Sequence, residues 1–165
     1  MKQQLDIVNE QDRVVGKATL EEVHQKGLLH RAVHVFVIDS QGRLFCRQRS
    51  VKKERYPEYW STSVGAHVFT GETYDAVAKK ALLSDLGIRC GLEMIGVTRI
   101  KDDFENEISA TFVGYSDDTK MKLNPLQIKD GKFLTVKEVM KLSTQRNVTP
   151  HFAHALDLYL NFRKR

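Results

Sequence analysis

Gly65 to Ile88, GAHVFTGETYDAVAKKALLSDLGI, constrains the fold more than any other segment of the chain. It runs from a glycine-bearing turn into one helix and out again. Apolar residues at Ala76, Val77, Leu82, Leu83 and Leu86 recur with a period of roughly 3.6 residues and predict a helix over Glu72–Leu86. Gly87 ends it, since a residue without a Cβ accepts the left-handed turn that closes a helix. Positions three and four apart share a helix face, so residues 81, 84 and 85 line up there as Ala81, Ser84 and Asp85.

The flanks supply strands for this helix to pack on. Leu5–Glu10 and Arg13–Gly16 read as two short strands around a polar turn at Gln11 and Asp12. Thr19–Lys26 reads as a short helix, with Thr19 and Glu22 at capping-box spacing and Gly27 as its stop. Arg31–Asp39 is rich in β-branched and aromatic residues and joins Leu44–Arg49 through Ser40-Gln-Gly-Arg43, which predicts a hairpin. A polar, proline-bearing loop covers Ser50–Tyr59, and Trp60–Val64 reads as a strand. Leu92–Lys101 and Glu107–Tyr115 are long strands and Lys132–Leu134 a short one; Val136–Leu142 and Phe152–Phe162 are helical, the second opened by Thr149 and Pro150. This order predicts an α/β fold with a mixed β-sheet between helices.

With 165 residues, 41% of them hydrophobic, the chain can bury a core without staples, and one domain over residues 1–165 is expected. Its 26 basic and 21 acidic residues leave a net charge of +5, a surplus that suits an anionic small molecule. No basic tract is interleaved with aromatics, so nucleic acid is not the expected partner. Cys46 and Cys90 are far apart and form no CxxC pair, which removes zinc-finger and disulfide-framework readings. No run approaches the ~18 apolar residues that span a bilayer, and no secretory signal is seen; a cytoplasmic protein without membrane contact is expected, as a monomer or a homodimer.

Histidines stand at positions 24, 30, 34, 67, 151 and 154, and Glu105-Asn-Glu107 opens a strand with carboxylates at alternate positions. Side chains two apart in a strand point to one face, so Glu105 and Glu107 can converge on one ion. Imidazole and carboxylate together suit Mn²⁺, Zn²⁺ or Mg²⁺.

The turn and helix of Gly65–Ile88 resemble the Nudix box, a Gly, five residues, Glu, seven residues, then Arg-Glu-apolar-x-Glu-Glu-x-Gly-apolar. Anchored on Gly87 and Ile88, Glu72 falls on the first Glu, Leu82 on the apolar position and Asp85 on the last Glu, whereas Ala66, Lys80, Ala81 and Ser84 replace Gly, Arg, Glu and Glu. The resemblance implies the Nudix α/β/α sandwich. Cleaving a diphosphate near neutral pH calls for divalent cations that neutralise phosphate charge and activate water, and Mg²⁺ wants oxygen ligands in near-octahedral geometry. Ala81, Ser84 and Asp85 offer one carboxylate between them, so the resemblance implies weak or atypical hydrolysis. In the family the first Glu anchors its loop through the Arg that is Lys80 here; Glu72, Asp85 and Glu107 are the catalytic candidates.

Over most of its length the chain also resembles type I isopentenyl diphosphate isomerases, which share the Nudix fold. The resemblance rests on Asp6-Ile-Val-Asn-Glu10, Val15-Gly16, Leu29-His-Arg-Ala32, Gly42-Arg-Leu44, the loop from Arg47-Gln-Arg49 to Pro57, Trp60 and Glu105-Asn-Glu107. Those enzymes hold one divalent ion with three histidines and two glutamates, which implies His24, His30, His67, Glu105 and Glu107 as ligands of Mg²⁺, Mn²⁺ or Zn²⁺ here, with Asp85 for a second Mg²⁺ carried with substrate. They grip diphosphate with an Arg and a Lys, implying Arg49 and Lys53. Their acid is a Cys two residues before the third histidine, where this chain has Gly65, and their Trp near the C-terminus has no counterpart in Thr144–Phe152. The added Glu that hydrolases carry before the last short strand is met by Gln127.

Three readings follow. One is a Nudix-family enzyme that binds a diphosphate-containing small molecule with a divalent cation and hydrolyses it weakly or atypically. The second is a non-catalytic sensor or interaction module for such a ligand. The third is an isomerase-like enzyme with a substitute acid from Tyr59, Tyr74 or a thiol near Gly65.

Overall fold

The computed structural model describes residues 2–118 and 120–165. In chain order its elements are β1 (Gln4–Val8), β2 (Val14–Thr19), α1 (Leu20–Lys26), β3 (His30–Ile38), β4 (Leu44–Arg49), β5 (Trp60–Ser61), β6 (Val64–His67), α2 (Tyr74–Leu86), β7 (Leu92–Lys101), β8 (Asn106–Tyr115), β9 (Ile128–Leu134), α3 (Val136–Leu142) and α4 (Pro150–Phe162). Strands β5, β4, β3, β8 and β7 are joined side by side in that order, while β6 adds to β3 and β9 to β4. The sheet is mixed: β3 runs parallel to β8 and antiparallel to β6, and β7 antiparallel to β8. β1 and β2 form a separate antiparallel pair.

Alternation along β3 explains the layers. Val33, Val35 and Val37 join Val77, Ala78, Ala81, Leu82 and Leu86 of α2 in one apolar cluster. Phe36 and Ile38, on the opposite face, join Val139 and Leu142 of α3 and Phe152, Ala155, Leu156 and Tyr159 of α4 in another. The sheet is thus covered on both sides, and two-sided burial accounts for the run of buried residues through β3.

Local signals set several boundaries. The Thr19–Glu22 capping box is made in both directions, and Gly27 takes the left-handed conformation (φ 60°). Thr135 and Glu138 form a second capping box on α3. The Ala76 N–H donates to the Thr73 hydroxyl, so α2 begins at Tyr74 and Glu72 lies in the preceding turn, outside the predicted helix. Trp60–Val64 is two strands, broken at Thr62 and Ser63, where Ser63 Oγ takes the Val37 N–H and donates to the Phe45 carbonyl.

The predicted hairpin is the main departure. β3 and β4 are registered at the single pair Ile38↔Leu44 and then diverge. Beyond that pair β3 is joined on the same edge by β6 through Ala32–Val35 and β4 by β5 at Arg47 and Gln48, while β9 runs along the other edge of β4 from Leu44 to Arg49 and is longer than Lys132–Leu134. The divergence opens a cleft between β3, β4, β6 and α2. Among the described residues no helix is long and apolar enough to cross a membrane.

Candidate active site

The strand wall of the cleft is assembled from four elements. Parallel pairing sets His30 of β3 opposite Glu107 of β8, and the period of two places His34 on the same face as His30. His67 of β6 stands beside Ala32. His24 comes from α1, whose end is tied to β8 by the Asn106 side-chain amide donating to the Gly27 carbonyl (2.7 Å). Glu105 sits at the close of a turn, one residue before β8, where the Asp102 carboxylate accepts the N–H groups of Phe104 (2.7 Å) and Glu105 (2.6 Å).

One ligand atom from each of His24, His30, His67 and Glu105 lies within 4.8 Å of the others. Glu107 adjoins this group, its Oε2 standing 3.8 Å from His30 Nε2. Leu28's carbonyl can only accept, so the 2.9 Å bond from His30 Nδ1 puts the proton on Nδ1 and leaves Nε2 with its lone pair facing the group. His24 Nε2, His30 Nε2 and Glu105 Oε2 are buried without a partner. Burial pushes His67 well below its usual pKa, with His30 and His24 adding to the effect, and also lowers His24. Burial, then the neighbouring Glu107, pushes Glu105 up to about 7 against the opposing Arg55, which is 3.4 Å away. Neutral imidazoles and unpartnered lone pairs form a donor set that fits a divalent ion, and the His30–carbonyl bond orients a ligand as outer contacts do in metal sites.

A second group adjoins the first. Glu107 Oε1 lies 3.4 Å from His34 Nε2 and 3.3 Å from His151 Nε2, all three residues being buried. The two rings stack with centroids 4.5 Å apart. Gly65 makes room for this arrangement: a Cβ there would come within 2.9 Å of His34 Nδ1 and 3.2 Å of an Arg47 terminal nitrogen.

The opposite wall is cationic. A cavity of about 290 Å³ is bounded there by Arg47, Arg49, Lys53 and Lys80, along with Ala81, Ser84, Asp85 and Gln127. Arg47 is buried, its Nη1 3.8 Å from Asp85 Oδ2 and its Nε without a partner. Burial and then Arg49 push Arg47 down to about 10, with Asp85 opposing. Lys53 donates to Gln127 Oε1 (2.7 Å); burial, then Arg49 and Arg47, bring it down to about 8. Arg49 donates to the Arg55 carbonyl (2.9 Å), which curls its loop around the guanidinium.

Of the residues expected from the sequence, His67, Glu105, Glu107, Arg49, Lys53 and Asp85 border the cavity, while His24 and His30 stand behind His67. Glu107 groups with His34 and His151 and only adjoins the first cluster, 3.8 Å from His30. Asp85 accepts from Ser84 Oγ (3.0 Å) and faces Arg47; burial raises its pKa, with Arg47 opposing. Glu72 does not border the cavity: it pairs with Lys80 and accepts the Phe69 N–H (3.1 Å), the fold-back that anchors the turn before α2. Tyr59, Tyr74, Cys46 and Cys90 do not border the cavity either, Tyr74 being engaged with Asp12 (2.9 Å). His34, His151 and Arg47 were not singled out as site residues. A period-two reading of His30-Arg-Ala-Val-His34 flags His34, but nothing local links it to His151, 117 positions on.

Comparison with known proteins bears on this arrangement. The NUDIX domain family model matches residues 28–156. The isopentenyl-diphosphate Delta-isomerase of Nocardia farcinica is 30% identical over 93% of this chain and 93% of its own length. The Nudix hydrolase PA4841 of Pseudomonas aeruginosa is 27% identical over 93% of this chain and 91% of its own. Among solved structures, DR0079 from Deinococcus radiodurans superposes with a TM-score of 0.77 at 24% identity, covering 93% of this chain and 97% of that one.

Proposed function

The chain belongs to the Nudix family, and we propose that it is a metal-dependent enzyme acting on a diphosphate-containing small molecule, with hydrolysis that is weak or atypical for the family. The observation that carries this reading is the buried, unpartnered donor set of His24 Nε2, His30 Nε2 and Glu105 Oε2 grouped with His67, of which Glu105 and His67 border the cavity that Arg47, Arg49 and Lys53 also line. His24, His30, His67, Glu105 and Glu107 would hold a divalent cation, Mg²⁺, Mn²⁺ or Zn²⁺. Such an ion, when bound, neutralises phosphate charge and makes a coordinated water acidic.

The chain's own groups do the rest. Arg49 and Lys53 bind the diphosphate through charge-assisted hydrogen bonds, and Arg47, whose Nε lacks a partner, adds a third donor. Glu107, which borders the cavity and adjoins His30, would be both a ligand of the ion and the carboxylate at the reacting centre. Asp85 holds the Arg47 guanidinium in the cavity and would be the carboxylate of α2 available to a second Mg²⁺ carried with the ligand. Glu72 and Lys80 fix the turn leading into α2.

A second reading, a non-catalytic sensor for the same ligand, draws on the helix wall. There Ala81 and Ser84 supply no carboxylate, and Asp85 is already engaged by Arg47 and Ser84. An isomerase with a substitute acid has less support, since neither tyrosine named for that role nor either thiol borders the cavity.

The test is a panel of nucleoside diphosphate derivatives and prenyl diphosphates with Mg²⁺ or Mn²⁺, followed by ³¹P NMR and product chromatography, comparing wild type with Glu107→Gln. Turnover that the substitution removes is the expected result. Binding without turnover across the whole panel would replace the enzyme with the sensor.

A further inference from the structure

We propose that His34, His151 and Glu107 form a second metal site, which takes a divalent transition-metal ion and shares Glu107 with the His24–His30–His67–Glu105 group. The sharing rests on the function proposed above; the ion at His34 and His151 does not.

The first argument concerns protons. Thr62 Oγ1 has one hydrogen, which it donates to the Val64 carbonyl (3.0 Å). Toward His34 Nδ1, 3.4 Å away, it offers only a lone pair, a neighbour that suits the tautomer with the His34 proton on Nδ1. His34 Nε2 then presents a lone pair to Glu107 Oε1, itself a lone-pair atom, at 3.4 Å. Two buried acceptors facing each other repel unless a proton or a metal cation lies between them.

The second argument concerns distance. Hydrogen bonds from N–H to O cluster at about 2.9–3.0 Å, and the two contacts to Glu107 Oε1 are longer, at 3.4 and 3.3 Å. Ligand atoms held roughly 2.0–2.1 Å from one tetrahedral ion are about 3.3–3.4 Å apart. Both contacts match the spacing of atoms around an ion better than that of a donor and its acceptor.

The third argument concerns fit. His34 lies against Gly65, and a side chain at position 65 would collide with its ring. His151, in the first turn of α4, is held by Thr149, whose N–H donates to the Trp60 carbonyl (3.0 Å) and whose hydroxyl bonds Ser61 (2.9 Å). Both imidazoles are thus delivered from rigid elements. Arg47 and Arg49 act against a cation here, and Glu107 and the Arg47–Asp85 pairing offset them. Two imidazoles and one carboxylate leave an open coordination position and suit Zn²⁺, Co²⁺ or Mn²⁺ over Mg²⁺, which prefers oxygen.

The probe is Co²⁺. Full-length protein stripped with a chelator is dialysed to equilibrium against Co²⁺, its bound metal is counted by elemental analysis, and circular dichroism checks that each variant is folded. Two ions per wild-type chain are expected, falling to one in His34→Val, in His151→Leu and in His67→Ala, and to none in His34→Val/His67→Ala. Electron paramagnetic resonance of the Mn²⁺-loaded wild type should show two coupled ions, the coupling vanishing in each single variant. A wild-type count of one that survives in His34→Val and is lost in His67→Ala overturns this proposal and leaves the first site standing. A count of one lost in His34→Val and kept in His67→Ala sinks the first site and leaves this one. No bound ion, or two ions that both survive in His34→Val and His151→Leu, overturns the proposal whatever the variants' stability.

Discussion

The two walls of the cleft differ in what their buried polar atoms lack. On the strand wall the unsatisfied atoms include lone pairs, His24 Nε2, His30 Nε2 and Glu105 Oε2; on the helix-facing wall the unsatisfied atom is a donor, Arg47 Nε. One wall is short of a cation and the other of an anion. The helix that carries the recognisable sequence frame contributes the smaller share of candidate ligands, because Ala81 and Ser84 bring no carboxylate and Asp85 faces Arg47. Position within a family frame and capacity for chemistry have therefore separated in this molecule, and the second is read from unpaired buried atoms.

The sharpest way to break the contrast is Glu107→Gln. Glu107 touches both histidine groups, so its loss should lower turnover on the order of 10³-fold and reduce bound metal; near-normal rates with full metal content would move the chemistry to the helix wall. Next, Arg49→Ala or Lys53→Ala should weaken diphosphate binding by about 10- to 100-fold while sparing bound metal, as expected for a lost charge-assisted bond of about 1.5–3 kcal/mol. Isothermal titration with inorganic diphosphate and metal counting together read this out.

The same wall should give the contrast a pH signature. Lys53 loses its proton near pH 8, lowered by burial and by Arg49 and Arg47 with Asp85 opposing. A lysine with a depressed pKa is charged below that value and neutral above it, so kcat/KM should fall as pH rises through about 8. Lys53→Arg should carry the plateau to higher pH, and an unchanged profile would remove Lys53 from the anion site. Asp85→Asn is expected to leave bound metal intact and turnover within a few-fold. A large loss that extra Mg²⁺ restores would make Asp85 an ion ligand and level the two walls. Smallest of all, Glu72→Gln should cost below about 1 kcal/mol in urea unfolding, the scale of an exposed ion pair, with no effect on bound metal.

What could be read from the sequence was local or borne by resemblance. The Thr19–Glu22 box and the Gly27 and Gly87 stops depend on residues a few positions apart and appear where expected, whereas of the apolar positions predicted for α2 Val77, Leu82 and Leu86 are buried but Ala76 and Leu83 are exposed. Apolar period extends the helix to Glu72 because it does not mark the first residue, whereas the Thr73 side chain does. The splitting of β3 from β4 depends on partners that come later in the sequence, β5 and β6, and an alternating strand followed by a glycine turn looks the same whether the hairpin continues or opens. Five candidate ligands were named through the isomerase resemblance, and the structure draws four of them together. His34 and His151 escaped because one resembles an ordinary strand residue and the other a helix-opening residue; only the fold makes them neighbours.

The single-pair junction of β3 and β4 has a mechanical consequence. Backbone groups released where the strands part are taken up by β6 on β3 and by β5 on β4, so the cleft floor is hydrogen-bonded sheet and not a gap awaiting closure. The neighbouring loop is tied back as well, with Arg49 and Tyr59 bonded through their backbones at 2.8 Å. A ligand would enter a mould already cast, with little chain to immobilise, so capture should depend on diffusion and on the pull of the cationic wall, and should weaken as salt screens that pull.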